Sequence, residues 1–261
     1  MSFTPPPPPK ISFGRRIVNF VVWFAYYCRA WLRWLIGKDK CYPPLRTTRF
    51  GSLRRVTPIS PTFGDDRGLP LDRYYVESFL YEHRKNIHGR VLESGGTGYT
   101  RKFGEDRVKQ FDVINLREGV AETTFRADLA AAPEIPSDIF DCVILAQTFQ
   151  FIYETRAAIE TAHRILKPGG TLIATMPGIS HIGDPPWTSH WCWNFTGLSA
   201  KNVFSEAFGE ENIEVKTYGN VFIASSFLYG LSVKEVRKDE LDYHDPNYEV
   251  TIGVKATKSL H

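Results

Sequence analysis

The stretch Val91-Leu92-Glu93-Ser94-Gly95-Gly96-Thr97-Gly98 decides the fold of this 261-residue chain. An apolar strand ends in an acid, and closely spaced glycines follow it. Glycine adopts positive φ and lets a ligand approach the backbone, so the pattern is typical of a nucleotide-binding turn. Because Gly-rich turns are common, the specificity must come from the elements around this one.

Apolar runs and turn residues predict alternating strands and helices on both sides of the turn. Asp72 is the predicted cap of the first helix, and Lys167-Pro168-Gly169-Gly170 ends the second. Such alternation predicts a parallel sheet with helices on both faces. The predicted strands are 90–93, 111–116, 124–129, 140–145 and 171–176, and the predicted helices are 71–83 and 154–166.

Beyond Met176 the alternation stops. Strands 213–218 and 249–257 are separated by helical sequence at 221–241, which favours an antiparallel pair at the sheet edge. The predicted fold class is therefore α/β, with a Rossmann-like, doubly wound and mostly parallel seven-stranded sheet. It includes an antiparallel edge strand and is preceded by an N-terminal amphipathic helix.

The order of motifs resembles that of class I S-adenosylmethionine-dependent methyltransferases. After the glycine turn come Ala127-Asp128-Leu129, then the strand 140–145, then Leu166-Lys167-Pro168-Gly169-Gly170, which is the most specific element. The resemblance covers 73–257. A looser likeness, to methyltransferase domains found beside glycosyltransferases of bacterial surface polysaccharides, is carried by Asp66-Arg67-Gly68, Asp72-Arg73-Tyr74-Tyr75 and 241–246.

The resemblance implies an enzyme that uses S-adenosylmethionine, and it implies roles for individual residues. Gln147 would lie near the transferable methyl group, whereas Asp141 and Lys167 would be structural. The chain departs from the family pattern twice: Thr97 or Tyr99 stands where a glycine is expected, and Asn115 stands where an acid usually binds the ribose hydroxyls. The implied cofactor-binding residues are Glu93, Ser94, Gly95, Gly96 and Gly98 for the methionine part, Asn115 for the ribose, Asp128 and Leu129 for the adenine, and Gln147.

A hydroxyl acceptor requires a base, and ligands of α/β sheets bind at the carboxyl ends of the strands. The candidate catalytic residues are therefore His181, Asp184 and His190, which follow the fifth strand, although each could be an ordinary loop residue. Aromatic residues share this loop and favour either a stacking platform for the acceptor or a small core under the loop. They are Trp187, Trp191, Trp193 and Phe195.

The N-terminal segment 1–55 forms a predicted arm, separate from a predicted methyltransferase domain at 56–261. The arm contains eleven Lys and Arg but one acid, a net charge of +10, whereas the remainder carries −7. Its apolar stretch 17–36 carries a basic edge through Arg29 and Arg33, which favours an amphipathic helix. Residues 15–36 are predicted to bind an anionic membrane surface or a partner protein; a spanning helix and packing on the domain remain alternatives.

The four cysteines, Cys28, Cys41, Cys142 and Cys192, form no paired motif, which predicts free thiols in a reducing cytoplasm and no metal site. The predicted function is O-methylation of a glycan or glycolipid-type hydroxyl by a cytoplasmic enzyme, peripheral on the inner membrane face. The alternatives are a small-molecule methyltransferase and a non-catalytic adaptor with a degenerate fold. A nucleic-acid target is not predicted, because the body of the chain is acidic.

Overall fold

The computed structural model describes residues 48–116, 119, 122–183 and 187–260, together with 21, 24–25, 27–29, 31–33 and 36. The chain divides into two compact units, 1–56 and 57–261. In the first unit the described residues from 21 to 33 are helical, and Gly51–Leu53 forms a 3-10 turn. Side chains of Val21, Phe24, Leu32 and Ile36 are more than half exposed. Over the part of the chain that is described, no helix combines the length and hydropathy needed to cross a membrane.

The rest of the predicted amphipathic helix, including the flanking bases at 15–16 and 38–40, lies outside the described residues. The prediction that this segment binds a membrane or a partner therefore stays a prediction.

The second unit is built on one seven-stranded sheet in the order β3-β2-β1-β4-β5-β7-β6. The pairs among β1 to β5 are parallel, whereas β7 runs antiparallel between β5 and β6. The predicted fold class is confirmed, with the antiparallel pair at one end of the sheet. The strands are β1 (Gly89–Ser94), β2 (Val108–Asn115), β3 (Phe125–Arg126), β4 (Phe140–Ala146), β5 (Leu166–Pro177), β6 (Ile213–Tyr218) and β7 (Thr251–Thr257).

Five helices flank the sheet in the described residues of this unit. Their bounds are α1 (Leu71–Glu82), α2 (Thr155–Ile165), α3 (Gly197–Phe208), α4 (Val221–Leu228) and α5 (Lys238–Asp242). The sequence did not predict α3, although Thr196 and Ser199 form a capping box at its start. The cap predicted for α1 was wrong: Pro70 holds the N-cap position, and Asp72 lies in the first turn without capping it.

The core lies on both faces of the sheet. Buried side chains of α2 and α3 pack on one face, and those of α1 pack on the other. Gly253 in β7 permits close packing of α1, because a Cβ there would lie 2.7 Å from the ring of Phe79. Phe79 is fully buried as a result.

Asp141 joins the amino ends of three strands. Its Oδ2 accepts a hydrogen bond of 2.8 Å from the backbone N–H of Arg90 in β1, and Lys167 Nζ in β5 lies 2.8 Å from the same oxygen. This agrees with the structural roles expected for Asp141 and Lys167.

The order of strands reverses between β1 and β4. From β1 the chain goes outward to β2 and β3, then returns to β4 on the opposite side. Such a switch point leaves a crevice at the carboxyl ends of the two central strands, where open α/β sheets bind their ligands.

Candidate functional site

The glycine turn leaves β1 at this crevice. Gly95 has φ +83°, which favours glycine, and its N–H donates to the carbonyl of Ile114 in β2, at 3.2 Å. A Cβ at Gly95, Gly96 or Gly98 would meet nothing within 4 Å. The turn therefore exposes bare backbone to open space on the side where a ligand could approach.

Glu93, in the strand before this turn, binds the backbone that follows it. Its carboxylate accepts hydrogen bonds from the N–H groups of Tyr99, at 3.0 Å, and Thr100, at 2.7 Å. These residues begin the π-helical turn Thr100–Gly104. Burial raises the pKa of Glu93, while the hydrogen bonds from Thr100 and Tyr99 lower it in part. The carboxylate thus organises the backbone of the turn.

Thr97 is one of the two residues, with Tyr99, predicted to stand where the family pattern has glycine, and its hydroxyl takes part in two hydrogen bonds. Its hydroxyl donates to Glu122 at 2.9 Å and accepts from Arg101 Nε at 2.9 Å. Arg101 also reaches the second oxygen of Glu122, at 3.0 Å. Thr97 therefore fastens the glycine turn to the segment between β2 and β3.

The remaining predicted cofactor residues lie near the ends of β2 and β3. Asn115 ends β2, and its amide donates to Thr123 at 3.2 Å. Asp128 is exposed and accepts from the N–H of Ala130 at 2.9 Å, whereas Leu129 is only 5% exposed in the core. A side chain at Asn115 or Asp128 could reach a nucleoside, but that of Leu129 packs inward.

A cavity of about 480 Å³ opens at the carboxyl ends of β4 and β5. Its size suits a small ligand. The start of α1, the segment 61–65 and the loop after β5 form its other walls. Aromatic rings of Phe63, Phe151, Trp191 and Phe227 line it, and so do the polar residues Asp65, Asp72, Arg73, Gln147 and Gln150.

Gln147 follows β4 and lines the cavity in a strained conformation. Its φ is +51°, a region that residues other than glycine seldom adopt. Its N–H donates to the carbonyl of Thr175 in β5 at 2.8 Å, which holds the strained backbone in place. The predicted position of Gln147 beside the reacting centre stays a prediction.

The structure separates two of the predicted catalytic residues from the cavity wall. His181 stacks on Phe63, with ring centroids 3.8 Å apart, and its Nδ1 accepts from the N–H of Gly183 at 3.1 Å. His190 is exposed. Neither is among the residues that line the cavity. Asp184 lies outside the described residues.

The aromatic residues of the loop divide between the cavity wall and the core. Trp191 lines the cavity, Phe195 is buried in the core, and Trp193 stacks on Tyr153 with centroids 5.6 Å apart. The side chain of Trp187 lies outside the described residues.

One group of potential metal ligands lies away from the cavity. Ligand atoms of Glu82, His83 and Glu214 fall within 4.8 Å of one another. Lys216 Nζ lies 2.6 Å from Glu82 and Lys255 Nζ 3.7 Å from Glu214, so lysine ammonium groups already neutralise both carboxylates. We therefore interpret the group as an ion-pair network.

Sequence reasoning missed the cavity residues Arg73 and Gln150 and misread Asp72 as a cap. The tetrapeptide that begins at Asp72 did carry part of the looser family likeness, and that was the available signal. Gln150 carried no signal, because its place depends on the turn after β4.

Comparison with known proteins identifies the class of domain. Residues 96–174 match the model of a family described as a methyltransferase domain. This segment extends from the glycine turn through most of β5 and contains Asn115, Asp128 and Gln147. No curated protein matches the chain in sequence.

Solved structures of similar architecture were also found. They include the [4+2]-cyclase SpnF (19% identity, 73% of this chain and 82% of that chain, TM-score 0.48). A SAM-dependent methyltransferase from Archaeoglobus fulgidus matches at 9% identity over 71% of this chain and 94% of its own, with a TM-score of 0.48. A possible histamine N-methyltransferase from Thermotoga maritima matches at 20% identity over 71% and 92%, with a TM-score of 0.45.

The recognition of a class I, S-adenosylmethionine-dependent methyltransferase, and hence of an enzyme, is confirmed by the family match over residues 96–174. The strand order confirms the fold class. The likeness to glycosyltransferase-associated domains stays a prediction.

Proposed function

We propose that this protein transfers a methyl group from S-adenosylmethionine to a hydroxyl of a glycan or glycolipid-type acceptor bound in the cavity. The observation that carries the proposal is the adjacency of the open glycine turn and the cavity. The turn leaves β1 and the cavity opens at the end of the neighbouring strand β4; at these two strand ends Ser94 Oγ and Thr148 Oγ1 are 2.5 Å apart. A donor on the turn and an acceptor in the cavity would face each other across this point.

S-adenosylmethionine supplies a methyl group already activated on a sulfonium sulfur. The open space beside Gly95, Gly96 and Gly98 fits a ligand lying against the backbone. The amide oxygen of Asn115 would accept a hydrogen bond from a ribose hydroxyl, and the carboxylate of Asp128 would accept one from the adenine amino group. Both roles follow from hydrogen-bonding chemistry.

Arg73 suits the carboxylate of the methionine part. It lines the cavity and donates from Nη1 to the hydroxyl of Tyr99 at 3.2 Å, so it joins the cavity to the glycine turn. A guanidinium recognises a carboxylate through paired N–H donors.

Calorimetry with S-adenosylhomocysteine tests the proposal. We expect the wild-type protein to bind and Gly96→Val to lose binding, because a side chain there would occupy the open space beside the turn. The variant should keep the thermal midpoint of the wild type, since a Cβ at this position meets no atom of the described residues within 4 Å. Absence of binding to the wild type at millimolar ligand would instead favour the non-catalytic adaptor.

The N-terminal arm would bring the enzyme to an anionic membrane surface on the cytoplasmic side. The support is its net charge of +10 together with the exposed apolar side chains of Val21, Phe24 and Leu32. Flotation with anionic liposomes tests this, with Arg29→Glu/Arg33→Glu expected to lose association. Arg156→Glu, an exposed charge reversal outside the arm, is the matched control. Equal flotation of all three proteins would remove the membrane proposal.

A further inference from the structure

The cavity wall contains three buried polar atoms that lack a hydrogen-bond partner among the described residues. They are Asp72 Oδ1, Gln147 Nε2 and Gln150 Oε1, and each belongs to a residue that lines the cavity. Buried polar groups are almost always paired, because leaving one without a partner is costly. Three such atoms around one cavity indicate that a bound molecule supplies the missing partners.

The two glutamines act as a pair. Gln150 Nε2 lies 3.4 Å from Gln147 Oε1 and donates to it. The two amide atoms without a partner in the described part of the chain are therefore a donor, Nε2 of Gln147, and an acceptor, Oε1 of Gln150. A hydroxyl both donates and accepts, so one or two hydroxyls would satisfy this pair. The strained backbone of Gln147 is a second, independent sign, since such strain persists where the surroundings enforce it, commonly at functional sites.

Asp72 offers a carboxylate on the wall formed by the start of α1. Its side chain is 13% exposed, and Arg73 Nε lies 3.8 Å from Oδ2, too far for a hydrogen bond. Burial raises the pKa of Asp72, and the charge of Arg73 offsets this only in part. A buried carboxylate of raised pKa is a better proton acceptor than an exposed one.

We propose that Asp72 is the catalytic base for methylation of a hydroxyl, and that Gln147 and Gln150 hold a neighbouring hydroxyl of the same acceptor. The proposal rests on the proposed function and names the acceptor as a neutral, polyhydroxylated ring. The acceptor oxygen bonds to the methyl carbon while the carbon–sulfur bond breaks and its electron pair stays on sulfur. The hydroxyl proton passes to the Asp72 carboxylate.

The charges of the cavity support a neutral acceptor. Asp65 and Asp72 disfavour an anionic acceptor beside the methionine carboxylate assigned to Arg73, while the charge of Arg73 next to Asp72 disfavours an ammonium ion. The lining rings offer an apolar surface against which the face of a sugar ring could pack. Phe63 and Trp191 provide two of these rings, nearly parallel at 14° with centroids 6.4 Å apart.

His181 does not meet the same requirement. The Nδ1 lone pair accepts from Gly183, so a neutral ring carries its proton on Nε2 and presents a donor there. A base must present a free lone pair to the acceptor, and the geometry therefore favours Asp72 over His181.

A turnover assay with methyl glycosides of the common neutral hexoses and deoxyhexoses tests the proposal on the full chain. Mass spectrometry would report methylated glycoside. We expect product from the wild type and a loss of about 10²- to 10⁴-fold with Asp72→Asn, the range for a removed general base. Gln147→Gly removes the amide while relieving the positive φ, and we expect a raised KM for the glycoside. The matched control is Asp242→Asn, which alters a carboxylate bonded to Tyr74 of α1 and lying outside the cavity; it should keep wild-type turnover.

Each other outcome overturns a defined part. Product formed equally by Asp72→Asn, or lost only with His181→Asn, would overturn the assignment of the base. Absence of product from every glycoside, with S-adenosylhomocysteine still binding, would overturn the neutral-ring acceptor and leave the proposed methyl transfer intact. Absence of S-adenosylhomocysteine binding would instead mean that the proposed function itself fails.

Discussion

Ser94 at the end of β1 and Thr148 just after β4 hold their hydroxyl oxygens 2.5 Å apart, and Thr148 also donates to the carbonyl of Ala146 at 3.2 Å. This contact joins the two strands at the point where the sheet reverses its order. Replacing Thr148 by Val keeps the shape of the side chain and removes the bond. We expect a loss of about 0.5–1.5 kcal/mol in the free energy of unfolding, measured in urea.

The control for this prediction is a double-mutant cycle with Ser94→Ala. Because both substitutions remove the same bond, the double variant should cost little more than either single one. Fully additive losses would show that the two hydroxyls do not interact.

Asp72→Asn should increase stability at neutral pH. Burial raises the pKa of Asp72 in the folded protein, with Arg73 opposing, so folding favours the protonated form. The stabilising contribution is present below the ordinary value of 3.8 and is lost as pH rises through the raised value. At neutral pH the buried, ionised carboxylate destabilises the folded protein, and an uncharged amide at this position would not.

The measurement is a thermal melt of both proteins across acid to neutral pH. The thermal midpoint of Asp72→Asn should be higher than that of the wild type at neutral pH, and the difference should disappear as the pH is lowered. In a domain of this size, each kcal/mol of added stability raises the midpoint by about 2–4 °C. A lower midpoint at neutral pH would contradict the prediction. A variant that is more stable yet inactive is the pattern expected of a residue kept for chemistry.

Asp141→Asn should lower the stability of the protein at neutral pH, in contrast to Asp72→Asn. Burial raises the pKa of Asp141, but the Arg90 N–H and the Lys167 ammonium outweigh burial and hold it below its usual value. The contribution is present above 3.8 and is lost as pH falls through the lowered value. At neutral pH we expect a cost of about 1.5–3 kcal/mol, typical of hydrogen bonds to a charged group. Urea unfolding at several pH values checks it, and a difference that persists in strong acid would argue against this cause.

Gly253→Ala should disturb the contact between β7 and α1. The added Cβ would lie 2.7 Å from the buried ring of Phe79, which has no room to withdraw. We expect destabilisation of about 1–3 kcal/mol by overpacking, measured by denaturant unfolding. Adding Phe79→Leu should recover part of it, and a simple sum of the two costs would contradict a direct clash.

The sequence predicts the sheet well because its strands are short apolar runs bounded by glycine, proline and polar residues. It missed α3, although Ala200, Phe204 and Phe208 recur at helical spacing and are all buried. Local patterns of apolar residues therefore predicted the strands, whose positions depend mainly on nearby residues.

The site is less predictable, because its walls come from distant parts of the chain. The glycine turn and Gln147 follow strands and could be placed by topology alone. The position of Asp72 depends on how α1 packs against the ends of β4 and β5, and the ring of His181 depends on Phe63, more than a hundred residues earlier. No local pattern carries such contacts.

The segment 61–65, which walls one side of the cavity, precedes a tether between Arg67 and Glu235. Arg67 Nε donates to Glu235 at 2.9 Å, and this pair lowers the pKa of Glu235 to about 2. The ion pair therefore stays ionised at neutral and mildly acidic pH. Because the two side chains are 37% and 28% exposed, dissolved salt can screen their attraction. The ion pair behind this cavity wall should accordingly weaken as ionic strength rises and stay unchanged on moderate acidification.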